Sequence, residues 1–315
     1  MNVIDWLKSG DAAIRRLTSI NLLDESTPYD EEGYIKRYLE LFDPKTGFWG
    51  GGVYGPKWIS THYTMLELKY MALDPKNVAY HTGLGHIINH EWRTTEMTKA
   101  RDGLDICVLG MVVGLAVYGR SVDNRIFEMV DYILAHQMPD GGWNCSWNSK
   151  RRPTHKSSLH TTLTILEAFD LYLTSGYAHQ EATIKTMVSE AENFILKKNL
   201  FRSVTTGEII NPDFIKFHYP TRWKYDAFRA LEYFTVAGRP YDSRMQEAID
   251  LVVKGMRKGY INKGSQYSGR LHFQLEPTKA GRFNTLRALI ILKAYAPDQY
   301  MDLILNTSRI DYKRL

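Results

Sequence analysis

Apolar residues recur at helical spacing in two kinds of segment, and the two kinds alternate along the chain. Segments of the first kind have apolar residues on one face and Glu, Lys or Asp on the other, and they lie near residues 31–42, 122–137, 182–198 and 242–257. Segments of the second kind are apolar or small nearly all round, and they begin at His62, Asp105, His160, Tyr225 and Phe283. A one-sided helix lies at a surface, whereas an apolar helix packs on both sides, so the pattern predicts outer helices alternating with buried inner ones.

The spacing of the inner segments predicts the architecture. Their first residues follow one another at intervals of 43 to 65 residues, which is room for two helices and their loops. No segment alternates apolar and polar residues strictly enough to predict a strand. We therefore predict an all-α fold, an α/α toroid built from about five helical hairpins. A single domain is expected over residues 1–315, with an N-terminal capping segment at 1–30 that holds a helix near 2–23, a repeat region at 31–295 and a C-terminal segment at 296–315.

The turns between helices repeat as well. The stretch YILAHQMPDGGW, which ends at Trp143, has a counterpart in YLELFDPKTGFW, which ends at Trp49. The two align without a gap, and Asp43 replaces Gln137. The Pro-Asp-Gly-Gly sequence in the first copy is typical of a tight turn. A turn that recurs at the same place in two segments indicates a repeated structural unit.

The repeated motif carries a family resemblance. YIxxxQxxxGxW resembles the QW motif of squalene and oxidosqualene cyclases, and residues 31–295 resemble the prenyltransferase and squalene-oxidase repeats of the terpenoid cyclase and protein prenyltransferase superfamily. HQMPDGGWNCSW, LFRSVTTGEIINP, YPTRWKYDAFRALEYF and RFNTLRALIIL are similar to a bacterial group of short, single-toroid proteins with this repeat. The resemblance implies that Gln137 and Trp143 tie the end of an outer helix to the following loop. It implies a fold more directly than an activity.

We expect the functional site where the inner helices begin. Five helix starts should surround one mouth, and their unpaired N–H groups and positive dipole ends favour an anion there. Four of the five first positions are titratable or hydroxyl-bearing, and they are the predicted catalytic residues: His62, Asp105, His160 and Tyr225. Asp105 is expected to form a hydrogen-bonded acid–base pair with a histidine. The alternative for each residue alone is a capped helix start or a buried histidine.

Aromatic and charged residues near the same mouth are the predicted substrate-binding groups. They are Trp58, Trp143, Arg151, Arg152, Trp223, Asp226 and Arg282. Aromatic rings there would stabilise a carbocation or stack on a sugar, and Arg282 would bind an anionic group. By resemblance, the basic loop after Trp143 matches the loop in which prenyltransferase β subunits keep diphosphate-binding residues. The alternatives are that the rings cover the end of the toroid and that the basic loop is a solvated turn.

Two motifs of the resembling families are incomplete in this chain. Bacterial triterpene cyclases protonate an alkene with an Asp-x-Asp-Asp motif, whereas the matching segment, DGLD, has Leu104 in place of the proton donor. No DDxxD-type run for magnesium occurs either, so neither protonation-initiated cyclisation nor magnesium-assisted ionisation is supported. Asp105, Cys107 and His160 have the residue types of the prenyltransferase zinc site, but their register differs by one hairpin and no HxxxH pair supports zinc. The cofactor is therefore left unassigned.

Composition and charge exclude several classes of protein. A chain of 315 residues with 44% hydrophobic and 24% charged residues is typical of a soluble globular protein. Its net charge of +5 is dispersed apart from one cluster at residues 150–156, which argues against nucleic acid as a partner. No stretch approaches the about 18 apolar residues of a transmembrane helix or has the pattern of a signal peptide, so we expect a cytoplasmic protein. Cys107 and Cys145 lack CxxC spacing, which favours two reduced thiols over a disulfide.

Three functional hypotheses fit these residues. The first is an enzyme that acts on an apolar, isoprenoid-like small molecule with an anionic group, held in an aromatic-lined central cavity with His62, Asp105 and His160 as acid–base groups. The second is a carbohydrate-active α/α-toroid lyase or hydrolase that acts on an acidic sugar. The third is a non-catalytic toroid that binds a ligand or a protein. An apolar cavity favours the first, a wide groove with paired carboxylates and exposed tryptophans the second, and a filled ring the third. The oligomeric state is not fixed by any of these patterns.

Overall fold

The computed structural model describes residues 1–92, 105–147, 154–264 and 267–305. All regular structure in these ranges is helical and they contain no β-strand, which confirms the predicted all-α fold. The helices are α1 (Val3–Lys8), α2 (Ala12–Leu23), α3 (Gly33–Leu39), α4 (Thr61–Tyr70), α5 (Val78–Glu91), α6 (Ile106–Tyr118), α7 (Arg125–Leu134), α8 (Leu159–Thr174), α9 (Glu181–Leu196), α10 (Ala227–Val236), α11 (Gln246–Gly255), α12 (Arg282–Tyr295) and α13 (Pro297–Leu305). None of these helices is long and apolar enough to cross a membrane.

The inner segments predicted from the apolar pattern form α4, α6, α8, α10 and α12. Helix α6 is the most fully enclosed, with 11 of its 13 residues buried. It packs closely on α8 because Gly110 has no side chain, and a Cβ there would lie 2.5 Å from Cδ1 of Ile165. The predicted outer segments form α3, α7, α9 and α11, and their buried residues lie on one face. Helix α5 is a further helix between α4 and α6 that the pattern did not indicate.

The N-terminal segment forms two helices where one was expected near residues 2–23, so that prediction was wrong. Helix α1 ends at Lys8, and α2 begins after Asp11, whose Oδ1 accepts a hydrogen bond of 2.9 Å from the N–H of Ala13. An aspartate that caps a new helix start in this way does not continue the preceding helix. Gly10 between the two helices leaves space for Arg282, because a Cβ on Gly10 would lie 2.8 Å from its Cδ.

Contacts between the inner helices follow the chain order. Helix α4 contacts α6, α6 contacts α8, α8 contacts α10, and α10 contacts α12. Helix α12 contacts α2, which contacts α3, and α3 contacts α4. The loop at residues 259–281 also returns to the first hairpin: the indole N–H of Trp58 donates to the carbonyl of Ser268 at 2.7 Å, and the hydroxyl of Thr64 lies 2.9 Å from Nε2 of His272. The end of the repeat region thus lies against its beginning, as the predicted toroid requires, and the closed ring itself stays a prediction.

The repeated turn has the same hydrogen bonds in both copies. The indole N–H groups of Trp49 and Trp143 donate to carbonyl oxygens of α3 and α7, at 2.6 and 2.8 Å. Their backbone N–H groups donate to the hydroxyls of Thr61 in α4 and Thr162 in α8, each at 3.0 Å. In the second copy the amide of Gln137 also donates to a carbonyl within the turn at 2.7 Å. Each tryptophan therefore joins the end of an outer helix to the start of the next inner helix.

Buried ion pairs join the inner helices to one another. Arg229 of α10 donates to Glu167 of α8 at 2.8 and 2.5 Å, and Arg287 of α12 lies 2.8 Å from Glu232 of α10. Both arginines are buried, with exposed fractions of 2% and 5%. A cavity of about 130 Å³ remains between α2, α4, α10 and α12, and Glu232 and Arg287 line part of it. This cavity is smaller than the about 300–1,000 Å³ of an ordinary small-molecule site.

Candidate functional site

His62 lies at the start of α4 and is completely buried. Its Nε2 lies 3.5 Å from the sulfur of Met111, and its Nδ1 has no hydrogen-bond partner among the described residues. The rings of Tyr54 and Tyr63 pack against it, each with its centroid 5.2 Å away. Burial lowers the pKa of His62 to about 3. The imidazole is therefore neutral at physiological pH and lies in apolar surroundings.

We predict that His62 makes the protein sensitive to acid. The folded protein keeps His62 neutral down to about pH 3, whereas a free histidine takes up a proton near pH 6.5. Stability present above pH 6.5 is therefore lost as the pH falls from there toward 3, at about 1.4 kcal/mol per pH unit. Replacing His62 by leucine should remove about 2 kcal/mol of the loss between about pH 7 and pH 5. Urea unfolding at both pH values measures the difference, and equal pH dependence in the two proteins would refute the prediction.

Asp105 precedes α6 and is exposed. Its side chain does not cap α6. It makes no hydrogen bond to a histidine within the described ranges, so the expected pair is not formed there. The charge of Asp105 makes a smaller contribution than burial to raising the pKa of Tyr54, and it also contributes to raising the pKa of Cys107. Asp105 thus lies at the start of α6 without the predicted histidine partner.

His160 and Tyr225 are in contact through the backbone of Tyr225, and their side chains do not hydrogen-bond each other. The Nδ1 of His160 accepts a hydrogen bond of 2.7 Å from the N–H of Tyr225, and the ring lies against Trp223 at 5.4 Å. Burial, with smaller effects from Arg229 and Lys224, lowers the pKa of His160 to about 4. Because Nδ1 is an acceptor in the neutral ring, Nε2 carries the proton. Nε2 of His160 can therefore donate a hydrogen bond, whereas Nδ1 is already occupied. The hydroxyl of Tyr225 is buried and donates to the carbonyl of Leu200.

The remaining predicted residues lie in several places. Trp143 is fully buried in the turn described above, and Trp58 is buried under the loop at 259–281.

Arg282 faces α1, where its guanidinium donates to the carbonyl of Trp6 and lies over the Trp6 ring at 4.6 Å. The structure thus ties Arg282 to α1 instead of bringing it together with His160. Arg151 and Arg152 lie outside the described residues, as does the segment that ends at Leu104.

A buried histidine–carboxylate pair lies beside His160. Nδ1 of His218 and Oδ2 of Asp226 are 3.2 Å apart, and both side chains are buried. The other oxygen of Asp226 accepts the N–H of Arg229 at 2.7 Å and caps α10. Since a carboxylate accepts hydrogen bonds, Nδ1 of His218 donates to Asp226, and in the neutral form of the ring the lone pair is then on Nε2. Nε2 of His218 has no hydrogen-bond partner among the described residues. The pair has the arrangement that was predicted for Asp105, at other residues.

Lysines and aromatic rings form a rim next to the two histidines. Lys224 lies 4.3 Å from the ring centroid of Tyr267 and 5.8 Å from that of Trp223, and Lys57 lies 5.9 Å from Trp223. The Tyr267 ring stacks on His218 with a centroid distance of 4.4 Å. No carboxylate within the described ranges forms a salt bridge with Lys57 or Lys224. We call Lys57, Trp223, Lys224 and Tyr267 the cation–aromatic rim, and its charge favours an anion.

The site residues do not form a metal centre within the described parts of the chain. No group of three or more His, Cys, Asp or Glu side chains there could hold a metal ion. The three candidate zinc ligands, Asp105, Cys107 and His160, are therefore not gathered into such a group.

The chain was also compared with known proteins. No protein-family model matches it, and no curated protein sequence matches it either. The resemblance to the QW-repeat superfamily therefore stays a prediction from the quoted motifs.

Proposed function

We propose that this protein is an enzyme that removes a proton from a small molecule carrying an anionic group. His218 is the base, Asp226 orients it, and the cation–aromatic rim binds the anion. The observation that carries the proposal is the 3.2 Å hydrogen bond between His218 and Asp226, buried beside a rim whose lysines have no carboxylate partner in the described chain. Nε2 of His218 has no hydrogen-bond partner among the described residues, which leaves it available to take up the proton.

The roles of the two histidines follow from their hydrogen bonds. Asp226 fixes the tautomer of His218 and stabilises the imidazolium that forms when Nε2 takes up a proton. His160 is held in the other tautomer. Its Nδ1 accepts the N–H of Tyr225, so its ring proton is on Nε2. It can therefore donate from Nε2 to an oxygen of the substrate while Lys224 neutralises the anionic group. The two histidines thus supply one proton acceptor and one hydrogen-bond donor.

An isoprenoid-like substrate is the first candidate. The aromatic surface of Trp223 and Tyr267 suits an apolar chain, and Lys57 and Lys224 suit a diphosphate or carboxylate at its end. The cavity of about 130 Å³ between α2, α4, α10 and α12 is too small for such a chain. We therefore place the substrate at the rim rather than in that cavity, which modifies the hypothesis of a central, apolar binding site.

An acidic sugar is the second candidate, favoured by the stacking of Tyr267 on His218. A half-buried aromatic ring over a base gives a sugar ring a platform, and Lys224 lies where its carboxylate could bind. The base would take the proton from the carbon next to that carboxylate while the glycosidic C–O bond at the following carbon breaks. A C=C bond forms, and the leaving oxygen takes up a proton. The third hypothesis, a non-catalytic binding protein, shares the rim but needs no base.

Ligand binding and turnover can be tested separately. We expect farnesyl diphosphate to raise the melting temperature of the protein, and Lys224→Met to weaken its binding about tenfold through loss of one charged contact. His218→Asn keeps a donor toward Asp226 and removes Nε2, so it should bind the ligand as tightly as the wild type and abolish turnover. Lys185→Met is the control, because Lys185 is exposed on α9 and pairs with Glu181.

Each outcome separates the hypotheses. Stabilisation by an oligogalacturonate but not by farnesyl diphosphate would favour the acidic sugar. Binding without turnover in the wild-type protein would favour the non-catalytic protein. Turnover that survives in His218→Asn would overturn the proposed base, whichever ligand is bound.

A further inference from the structure

The two cysteines of the chain lie side by side, Cys107 in the first turn of α6 and Cys145 in the loop that precedes α8. The backbone N–H of Cys107 donates to the sulfur of Cys145 at 3.1 Å. The thiol of Cys107 donates to the same sulfur, and the hydroxyl of Thr161 lies 3.5 Å from it. Both cysteines are partly exposed. Three donors from two separate inner helices thus meet on one sulfur atom.

We propose that Cys145 and Cys107 form a redox-active dithiol, in which a peroxide oxidises Cys145 and Cys107 then closes a disulfide within the chain. The contact brings the two side chains close together. An N–Cα bond is about 1.46 Å, so the sulfur of Cys145 lies within about 5 Å of the Cα of Cys107. A disulfide needs Cα atoms about 4.4–6.8 Å apart, and a Cys145 sulfur this close to the Cα of Cys107 brings the two residues near that range.

The hydrogen bonds assign different roles to the two sulfurs. The bond from the Cys107 thiol, assisted by Thr161 and by the N–H of Cys107, lowers the pKa of Cys145 against the opposing effect of burial. The same thiol–sulfur bond, together with burial and the charge of Asp105, raises the pKa of Cys107. Because the thiolate is the nucleophile, Cys145 reacts first with an oxidant. Cys107 stays protonated and close by, as the thiol that reacts second.

The chemistry is balanced with a peroxide as the oxidant. The Cys145 thiolate attacks one oxygen of the peroxide, the O–O bond breaks, and the product is a sulfenic acid plus, after uptake of a proton, an alcohol or water. The sulfur of Cys107 then attacks the sulfenic sulfur and forms the S–S bond. The hydroxyl group leaves with the Cys107 proton as water. Two thiols and one peroxide thus give one disulfide, one water and one alcohol or second water.

The bridge would join the first turn of α6 to the loop that precedes α8. That junction lies beside Tyr54, whose pKa is raised by burial and, to a smaller extent, by Cys107. Closing the bridge ties the start of α6 to that loop by a covalent bond. The proposal does not depend on the identity of the substrate.

Mass spectrometry of the intact protein tests the proposal. The reduced full-length chain is treated with equimolar hydrogen peroxide, denatured and alkylated. We expect both thiols to disappear together, with a mass lower by two hydrogen atoms and full recovery after dithiothreitol. Because Cys107 and Cys145 are the only cysteines, the assignment is unambiguous.

Variants separate the two steps. In Cys107→Ser we expect Cys145 to accumulate as a sulfenic acid that dimedone traps. In Cys145→Ser we expect Cys107 to react with peroxide at least about tenfold more slowly. Thr161→Val keeps the shape of the threonine and should slow the oxidation of Cys145, with the helical circular dichroism unchanged as the control for folding. Disulfides between chains, independent over-oxidation of both cysteines, or equal rates in wild type and Cys145→Ser would each overturn the proposal.

Discussion

Replacing Trp143 by alanine is expected to lower the free energy of unfolding by about 3–5 kcal/mol, as for other large aromatic residues removed from a core. The side chain is fully buried, lies edge-on to Phe169 and donates its indole N–H to the carbonyl of Ile133. Alanine would leave a cavity between α7 and α8 and an unpaired carbonyl at the end of α7. Urea unfolding followed by circular dichroism measures the loss.

Two further variants show whether the role of this residue is structural. Trp143→Phe keeps most of the buried surface and loses the indole N–H, so it should cost less than alanine. Trp223→Ala removes a half-buried ring of the cation–aromatic rim, and we expect it to change stability much less than Trp143→Ala. Wild-type stability in Trp143→Ala would show that the repeated turn does not hold the two helices together.

Glu167→Gln is expected to destabilise the protein by about 3–5 kcal/mol, because it leaves Arg229 as an unpaired buried charge. Burial alone would lower the pKa of the Arg229 guanidinium, but Glu167 and the other acidic groups around it raise it beyond its usual range. A guanidinium is not deprotonated in proteins even without such a partner, so the arginine stays charged in the variant. Its remaining hydrogen bonds, to the carbonyl of Lys224 and the hydroxyl of Thr164, do not neutralise that charge.

A double variant shows how much of the loss comes from leaving Arg229 without its partner. Glu167→Leu combined with Arg229→Met replaces both charges by apolar groups of similar size, and it should be more stable than Glu167→Gln alone. Thermal and urea unfolding of the single and double variants give the interaction free energy between Glu167 and Arg229. A double variant less stable than Glu167→Gln would contradict this account and indicate that Arg229 is needed for its other contacts.

The helices were largely predictable because their signals are local. Segments such as DICVLGMVV are apolar on every side, and only a helix enclosed by other helices can bury such a surface. The two tryptophan turns were recognised by spacing, and their hydrogen bonds confirm a repeated local structure. The break after Lys8 was missed because the apolar pattern continues through it. Asp11 was the available signal, as a capping residue just before a new apolar run.

The site was less predictable because its contacts join loops that are distant in the sequence. Asp226 was expected near the substrate, and nothing in the local pattern indicated that His218, eight residues earlier, would hydrogen-bond it. The charges of Arg229 and Glu232 were visible within an otherwise apolar segment. They lie three residues apart and therefore on one face of α10. Two charges on the same face of an apolar helix indicate a buried polar network, and the surrounding apolar pattern obscured this signal.

The return of the loop at 259–281 to the first hairpin also sets an order of events during synthesis. Trp58 and Thr64 are separated from their partners, Ser268 and His272, by 210 and 208 residues. At about 5–20 residues per second, a ribosome needs about 10 to 40 seconds to supply those partners. We expect Trp58 in the first hairpin to remain exposed to solvent during that time. The nascent chain, rather than the finished protein, is thus the state most in need of a chaperone.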